Sequence, residues 1–596
     1  MITPRLNVGR NLIAGALLFM LFLVIVSAQE KSEEAQPKRK GAIKGKINTD
    51  DGQPIEGANV NVNAAHASGL GGWRQLQTDD EGNFVADELA PGLYTVSVGS
   101  NAYVIPERSF LPEYYRLGDV LNFTLSKGGV ITGRVTNALG EAVIAAPIRV
   151  ERVTDLEGRK TISEWWYGQQ RKTDDRGVYR VYGLPAGRYI VSVGGTAQYR
   201  TGPPNSYESS IPTFYPSATR AGATEVTVNV SEEVRGIDIR YRTEKGQTIS
   251  GKITGVPVEN STNGVQIYLY RYPGNGLELT TFVLPTDPTQ SFEFYTVPEG
   301  EYELEASVYG GEKKDSYKSL RKRITVKSGN LTGIVLPLVA LGSVEAKIEW
   351  EITPEKERKA ECQATRPPLP EETMIWFVKD DPKVGGGVSL DSSRRYALPN
   401  EKAELKYQML EAGVYRFAPR LLDESWYVKA VAAKSNSVAQ SSSAKAETTR
   451  TLDLSKQGVE LKSGDKRKDI LLALTNGAAS LSGRVVAEKS QALPSRMRVH
   501  LIPAEKEAAD DLLRYAEQKT KDGNFTFRNL APGKYWLVVR KVADDESDPQ
   551  HVNPLAWDSI ARKALRREAE LTNKAIDLTP CQREKTFNLI FGAAVK

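Results

Sequence analysis

The chain has 596 residues, 40% of them hydrophobic, and 79 Lys and Arg against 74 Asp and Glu give it a net charge of +5. The first 28 residues hold Arg5 and Arg10 and no acid, so the remainder is nearly balanced and offers no electrostatic reason to expect nucleic acid as a partner. A chain of this length needs several domains, and its only two cysteines, Cys362 and Cys581, exclude a disulfide-built scaffold.

Met1 to Ala28 reads as a secretory signal. Arg5 and Arg10 supply a positive start, Leu12 to Val26 an apolar run, and Val26-Ser27-Ala28 a small-residue cleavage site. The run is short for a membrane-spanning helix, which needs about 20 residues. No Cys follows it for lipid attachment, and no later apolar run has spanning length. The expectation is a secreted or periplasmic protein with no transmembrane span after signal removal; an uncleaved anchor is the alternative. Residues 29–40 are polar and charged and read as a linker.

A repeated motif organises the rest. Gly177 is followed by Tyr179, Leu184, Gly187 and Tyr189, and at the same offsets Gly82 is followed by Phe84, Leu89, Gly92 and Tyr94, and Gly523 by Phe525, Leu530, Gly533 and Tyr535. Weaker copies end at Gly300-Glu301-Tyr302 and Gly413-Val414-Tyr415. The first Gly lies in an Asp-rich turn, where Asp bonds its own backbone and Gly tolerates positive φ. The spacing lacks the ligand pattern of a calcium loop, so a plain turn is expected. After the second Gly the chain alternates: Tyr302, Leu304 and Ala306 face one way, Glu301, Glu303 and Glu305 the other. The motif therefore predicts two strands joined as a hairpin over a shared core.

Each repeat opens with a short strand, usually with a central Gly (Gly45, Gly133, Gly251, Gly483), and closes with another, such as Leu121 to Leu125 or Phe587 to Phe591. Openings and closings divide the chain into repeat 1 (41–126), repeat 2 (127–243), repeat 3 (244–340), a divergent repeat 4 (341–475) and repeat 5 (476–596). Short strands between turn residues at this density predict an all-β fold of five tandem Ig-like or transthyretin-like sandwiches. Repeat 5 adds two expected helical insertions, Ala504 to Gln518 and Leu555 to Leu571, the second with Leu555, Ile560, Ala564 and Leu565 at near-helical spacing. Ser435 to Thr449 reads as a mobile loop. Nearly contiguous closings and openings predict a semi-rigid string of beads.

The repeat resembles the carboxypeptidase regulatory-like domain, a transthyretin-like sandwich grouped with carbohydrate-binding-like folds. The matching residues include Gly45, Asp51-Gly52-Gln53-Pro54-Ile55-Glu56-Gly57-Ala58, Thr78-Asp79-Asp80-Glu81-Gly82-Asn83-Phe84 and Leu89-Ala90-Pro91-Gly92-Leu93-Tyr94. The match is close in repeats 1, 2 and 5 and partial in 3. Ile211-Pro212-Thr213-Phe214-Tyr215-Pro216 resembles the aromatic-proline segment of exported bacterial proteins of this type. The resemblance is specific for fold and loose for function.

Catalytic chemistry finds no footing. His66, His500 and His551 are the only histidines, none begins a His-x-x-Glu pair, and each reads as a surface or loop residue. There is no Gly-x-Ser-x-Gly elbow, phosphate loop or CxxC spacing. No enzyme, metal or cofactor is expected. Aromatic residues are the candidate binding groups: Trp73, Trp165, Trp166, Tyr167, Phe214 and Tyr215 as platforms for sugars or protein partners, against the alternative that such rings cap their own domains. Tyr114-Tyr115 and Trp426-Tyr427 are further clusters, and Trp536, out of phase with Tyr535, is expected to cover an inter-domain seam. The expected function is an exported non-enzymatic binding or scaffold protein with carbohydrate or cell-envelope proteins as partners, or a spacer with no small ligand. Whether Cys362 and Cys581 bond is open.

Overall fold

The computed structural model describes residues 40–65, 73–105, 113–156, 158, 171–195, 207, 210–255, 264–272, 277–283, 289–310, 315–354, 362, 369–380, 394–436, 449–487, 492–542, 554–572 and 575–591. The signal segment, nearly all of the linker, Trp165, Trp166, Tyr167, His66, His551 and most of the Ser435–Thr449 stretch lie outside them. The described residues are mostly β. Five separate hydrophobic cores lie within residues 43–125, 131–241, 249–338, 344–474 and 479–589.

One wiring recurs. The opening strand pairs antiparallel with the first strand of the motif and parallel with the closing strand: Gly41–Thr49 lies between Asn83–Leu89 and Val120–Lys127. The same trio forms around Gly129–Thr136, Gln247–Thr254, Gly342–Glu351 and Ala479–Ala487. The second motif strand joins the other sheet, as Tyr94–Gly99 does with Asn59–Ala64. Its counterparts pair likewise in the other repeats.

The motif is therefore an arch rather than the expected hairpin. Its two strands are not hydrogen-bonded to one another in any repeat: in four repeats they cross from sheet to sheet, and in repeat 3 they take separate places in one eight-stranded sheet, and in each both turn apolar faces to one core. Two features make the arch. The residue before the motif's Leu or Val takes a left-handed conformation in every copy, at Glu88 (φ 54°), Gly183 (73°), Thr296 (57°), Met409 (57°) and Asn529 (55°). The pairing register shifts at that point each time, the mark of a β-bulge that bends the strand out of its sheet. The motif Tyr then staples the turn. Its hydroxyl donates to the carbonyl four residues back, Tyr94 to Ala90 (2.7 Å), Tyr302 to Pro298 (2.9 Å), Tyr415 to Glu411 (3.0 Å), Tyr535 to Ala531 (2.7 Å) and Tyr189 to Pro185. Phe would fill the same space and leave that carbonyl unpaired.

The central Gly of the opening strand has a packing cause. Gly45, Gly251 and Gly483 sit opposite Phe84, Phe292 and Phe525, and Gly133 opposite Tyr179. A Cβ on Gly45 would lie 2.5 Å from both the Phe84 ring and the Leu121 carbonyl oxygen, and one on Gly251 2.8 Å from Phe292 and 2.2 Å from the Ile334 carbonyl oxygen of the closing strand. Repeat 4 changes both partners together: Ala346 faces Leu405. The smaller side chain opposite removes the ring contact that a methyl group would meet there.

In repeat 5 only the second expected helix forms, as Ser559–Thr572. Residues 504–518 instead form turns, a short 3₁₀ segment at Leu512–Arg514 and the start of a strand, Ala516–Lys519, which pairs with Met497–Pro503. Ladder pairing there outweighs local helix propensity. The real helix turns Arg562, Leu565 and Ala569 inward, while Ile560 is 78% exposed. Arg562 fixes that rotation by donating to Ala556 O (2.7 Å) and Asp510 Oδ1 (3.1 Å).

The repeats do not hang as an open string. A buried cluster unites Ala65 and Leu93 of repeat 1 with Met374, Trp376, Val378 and Leu398 of repeat 4, and Tyr114 and Trp557 of repeats 1 and 5 pack against it. Repeat 4 also meets repeat 3 through Glu411, whose carboxylate takes Lys318 (2.7 Å) and Lys379 (2.9 Å). Asn529 of repeat 5 donates to the Asp423 and Trp426 carbonyls, both at 2.8 Å. Cys362 and Cys581 form a disulfide with Cα atoms 5.4 Å apart, closing 219 residues of sequence across repeats 4 and 5. Among the described residues no helix is long and apolar enough to cross a membrane.

Candidate binding surface

The arches serve as docking elements. The repeat 1 arch presents Leu93 to repeat 4, and Gly183 in the repeat 2 arch lies within 4 Å of Ala102 in repeat 1, measured from the position of a Cβ. Glu411 and Asn529 belong to the arches of repeats 4 and 5. Burial pushes the Glu411 carboxyl up, but the two lysines outweigh it and hold it at about 2, against an ordinary 4.5. At the repeat 1–repeat 4 seam, burial with Tyr396 nearby pushes the Tyr114 hydroxyl to about 12.

The candidate aromatics divide. Phe214 is a core residue, 6% exposed, and Tyr215 packs on the same core. Phe214 belongs to the interior and is no platform, because its strand pairs beside Ser192 and turns the ring to the core, while Tyr215 is half-buried. Trp426 is buried, in edge contact with Trp350 at 5.5 Å. Trp536 covers no inter-repeat seam: it packs under the Ser559–Thr572 helix of its own repeat, beneath Arg566. Trp165, Trp166 and Tyr167 fall outside the described residues. Trp73 is 57% exposed.

Trp73 begins the edge strand Trp73–Gln77 of a three-stranded sheet with Asn59–Ala64 and Tyr94–Gly99. Val60 and Val62 point into the core, so Asn59, Asn61 and Asn63 point out. Register places Trp73 beside Asn63 and Thr95, and Gln75 beside Asn61 and Ser97. Sequence reading found the indole and missed the amides around it, although Asn-Val-Asn-Val-Asn spells the alternation out. The same face of repeat 3 carries Glu303 and Glu305 with Arg321, at 3.3 and 2.9 Å, over the stacked pair Tyr268 and Tyr270.

No group of three or more His, Cys, Asp or Glu that could hold a metal exists among the described residues. His500 is not the surface residue expected. It is 4% exposed, its Nδ1 lies 3.3 Å from Glu517, and Glu517 also accepts from Leu555 N (2.9 Å). That pair anchors the segment leading into the helix. The recess beside Trp350, Trp426 and Asp423 measures about 20 Å³, room for a water molecule and for no sugar ring.

Residues 42–125 match the family model of the carboxypeptidase regulatory-like domain, so repeat 1 is a domain of that class. No curated protein matches the chain. Solved structures do match at low identity. The Bacillus anthracis TIE protein is 16% identical, the match covering 50% of each chain at a TM-score of 0.14. The major pilin subunit BcpA of Bacillus cereus is 11% identical over 50% of this chain and 99% of its own, with a TM-score of 0.14. The minor pilin GBS52 of Streptococcus agalactiae is 14% identical over 34% of this chain and 98% of its own, with a TM-score of 0.18. The chain thus spans half of the first of these proteins, and at such TM-scores none of them informs its function.

Proposed function

We propose that the chain is an exported, non-enzymatic scaffold of five sandwich domains that presents a binding surface outside the cytoplasm. The observation that carries this is the buried Cys362–Cys581 disulfide, which joins two repeats and suits an oxidising compartment. The signal-like start of the sequence agrees with it. Inter-repeat packing at Leu93, Glu411 and Asn529 suits a body that holds surfaces in fixed relation. Carbohydrate is the favoured ligand class, because Trp73 offers an exposed ring and the buried candidates do not. Peptide mapping of the native protein from envelope and cytoplasmic fractions tests the reading. The expected result is a Cys362–Cys581 linked peptide in the extracytoplasmic fraction; free thiols in cytoplasmic protein would sink it.

A further inference from the structure

We infer that the outer face of the repeat 1 sheet is a docking site for an uncharged polysaccharide, a ligand class that deepens the scaffold reading above and rests on it. Two rows cross this face, Trp73–Asn63–Thr95 and Gln75–Asn61–Ser97, and a third starts at Gln77 and Asn59. Neither row holds a charged side chain, and none of the five carboxamides has a side-chain hydrogen-bond partner among the described residues.

That composition departs from what a merely solvated face shows. Edge strands are normally protected by charge, especially Lys, because an uncharged flat edge invites pairing with other chains. The corresponding face of repeat 3 is charged, through Glu303 and Glu305 on an inner strand paired with Arg321. The edge strand of repeat 1 holds one charged residue, Arg74, and turns Trp73, Gln75 and Gln77 outward on the face described here.

The chemistry of the face matches sugars. An indole offers a broad flat apolar surface for the C–H face of a pyranose ring. Each carboxamide supplies both a donor pair and an acceptor, which suits neighbouring hydroxyls that are themselves donors and acceptors. Neither row supplies a cation for a carboxylated or sulfated chain; Arg74, on the same strand, alternates away from this face and donates to the Trp73 carbonyl (3.1 Å). Size argues against a protein partner. Three strands about 4.8 Å apart and five residues at about 3.3 Å rise give a platform on the order of 130 Å², well short of the roughly 800 Å² per partner of a stable protein interface.

The test uses the mature full-length chain in pull-downs on neutral polysaccharides (β-glucan, xylan, mannan, chitin) and acidic ones (alginate, pectate). Retention on at least one neutral polymer, unchanged in high salt and reduced at least tenfold by Trp73→Ala and by Asn61→Asp, is expected. Thermal melting should be the same for all three proteins, since both positions lie on an outward face. Retention untouched by either substitution overturns the site while leaving the scaffold reading standing. Retention on acidic polymers only, or on none, also overturns it; the disulfide map decides the scaffold reading separately.

Discussion

Repeats 1 and 4 place the same strand of the same sandwich on their outer sheets and make opposite use of it. In repeat 4 the outward positions Met374, Trp376 and Val378 are apolar, and all three are buried under Leu93 and Ala65 of repeat 1. In repeat 1 the equivalent positions are Asn59, which is exposed, and Asn61 and Asn63, which are half-buried beside Trp73. The inward positions stay apolar in both repeats, since each must fill a core. The outward ones are free of that demand, so they record what each repeat touches.

The comparison breaks most visibly at the seam. Leu93→Asp buries an unpaired carboxylate against Trp376 and should cost more than about 3 kcal/mol of the seam's stability. Proteolysis and small-angle scattering should find repeat 1 released from repeat 4; an unchanged profile would show that the seam does not hold the repeats together. The paired change Cys362→Ala and Cys581→Ala should cost about 2–5 kcal/mol, because the link closes a long stretch of chain. Denaturant melts with and without reductant measure this, and equal midpoints would rule it out.

Next comes Glu411. Its folded-state pKa lies below the unfolded value, so the stability it adds is complete above about pH 4.5 and disappears as pH falls toward 2. Since water still reaches 30% of the side chain, the effect should be on the order of 2 kcal/mol rather than the full shift. Glu411→Gln should flatten the pH dependence in that window; a wild-type slope in the variant would place its origin elsewhere. Removing an arch staple, as in Tyr302→Phe, should cost about 1 kcal/mol, with the same loss for Tyr94→Phe despite the different surroundings. Smallest is Trp73→Ala, expected within about 0.5 kcal/mol of wild type. A larger loss would mean that the indole supports the fold.

Much of this was legible beforehand. The opening, motif and closing strands of each repeat, the central Gly and the turn Gly residues follow from a pattern copied along the chain. The arch was not legible, because a hairpin and an arch share the same alternation and the bend lies at residues as unlike as Glu88, Thr296 and Met409. Only repeat 2 marks the place with a Gly, at Gly183. Phe214 and Trp536 were misread for a related reason: an aromatic residue looks the same in sequence whether a neighbouring strand or helix covers it or not.

The sequence by itself determined the sandwich and its repetition, since alternation, turn chemistry and core volume are local properties that each copy must satisfy alone. Tertiary structure decided which faces were covered, that Cys362 meets Cys581, and that Trp73 stands among amides. Those facts depend on contacts between segments far apart in the chain, and residue spacing carries no record of them.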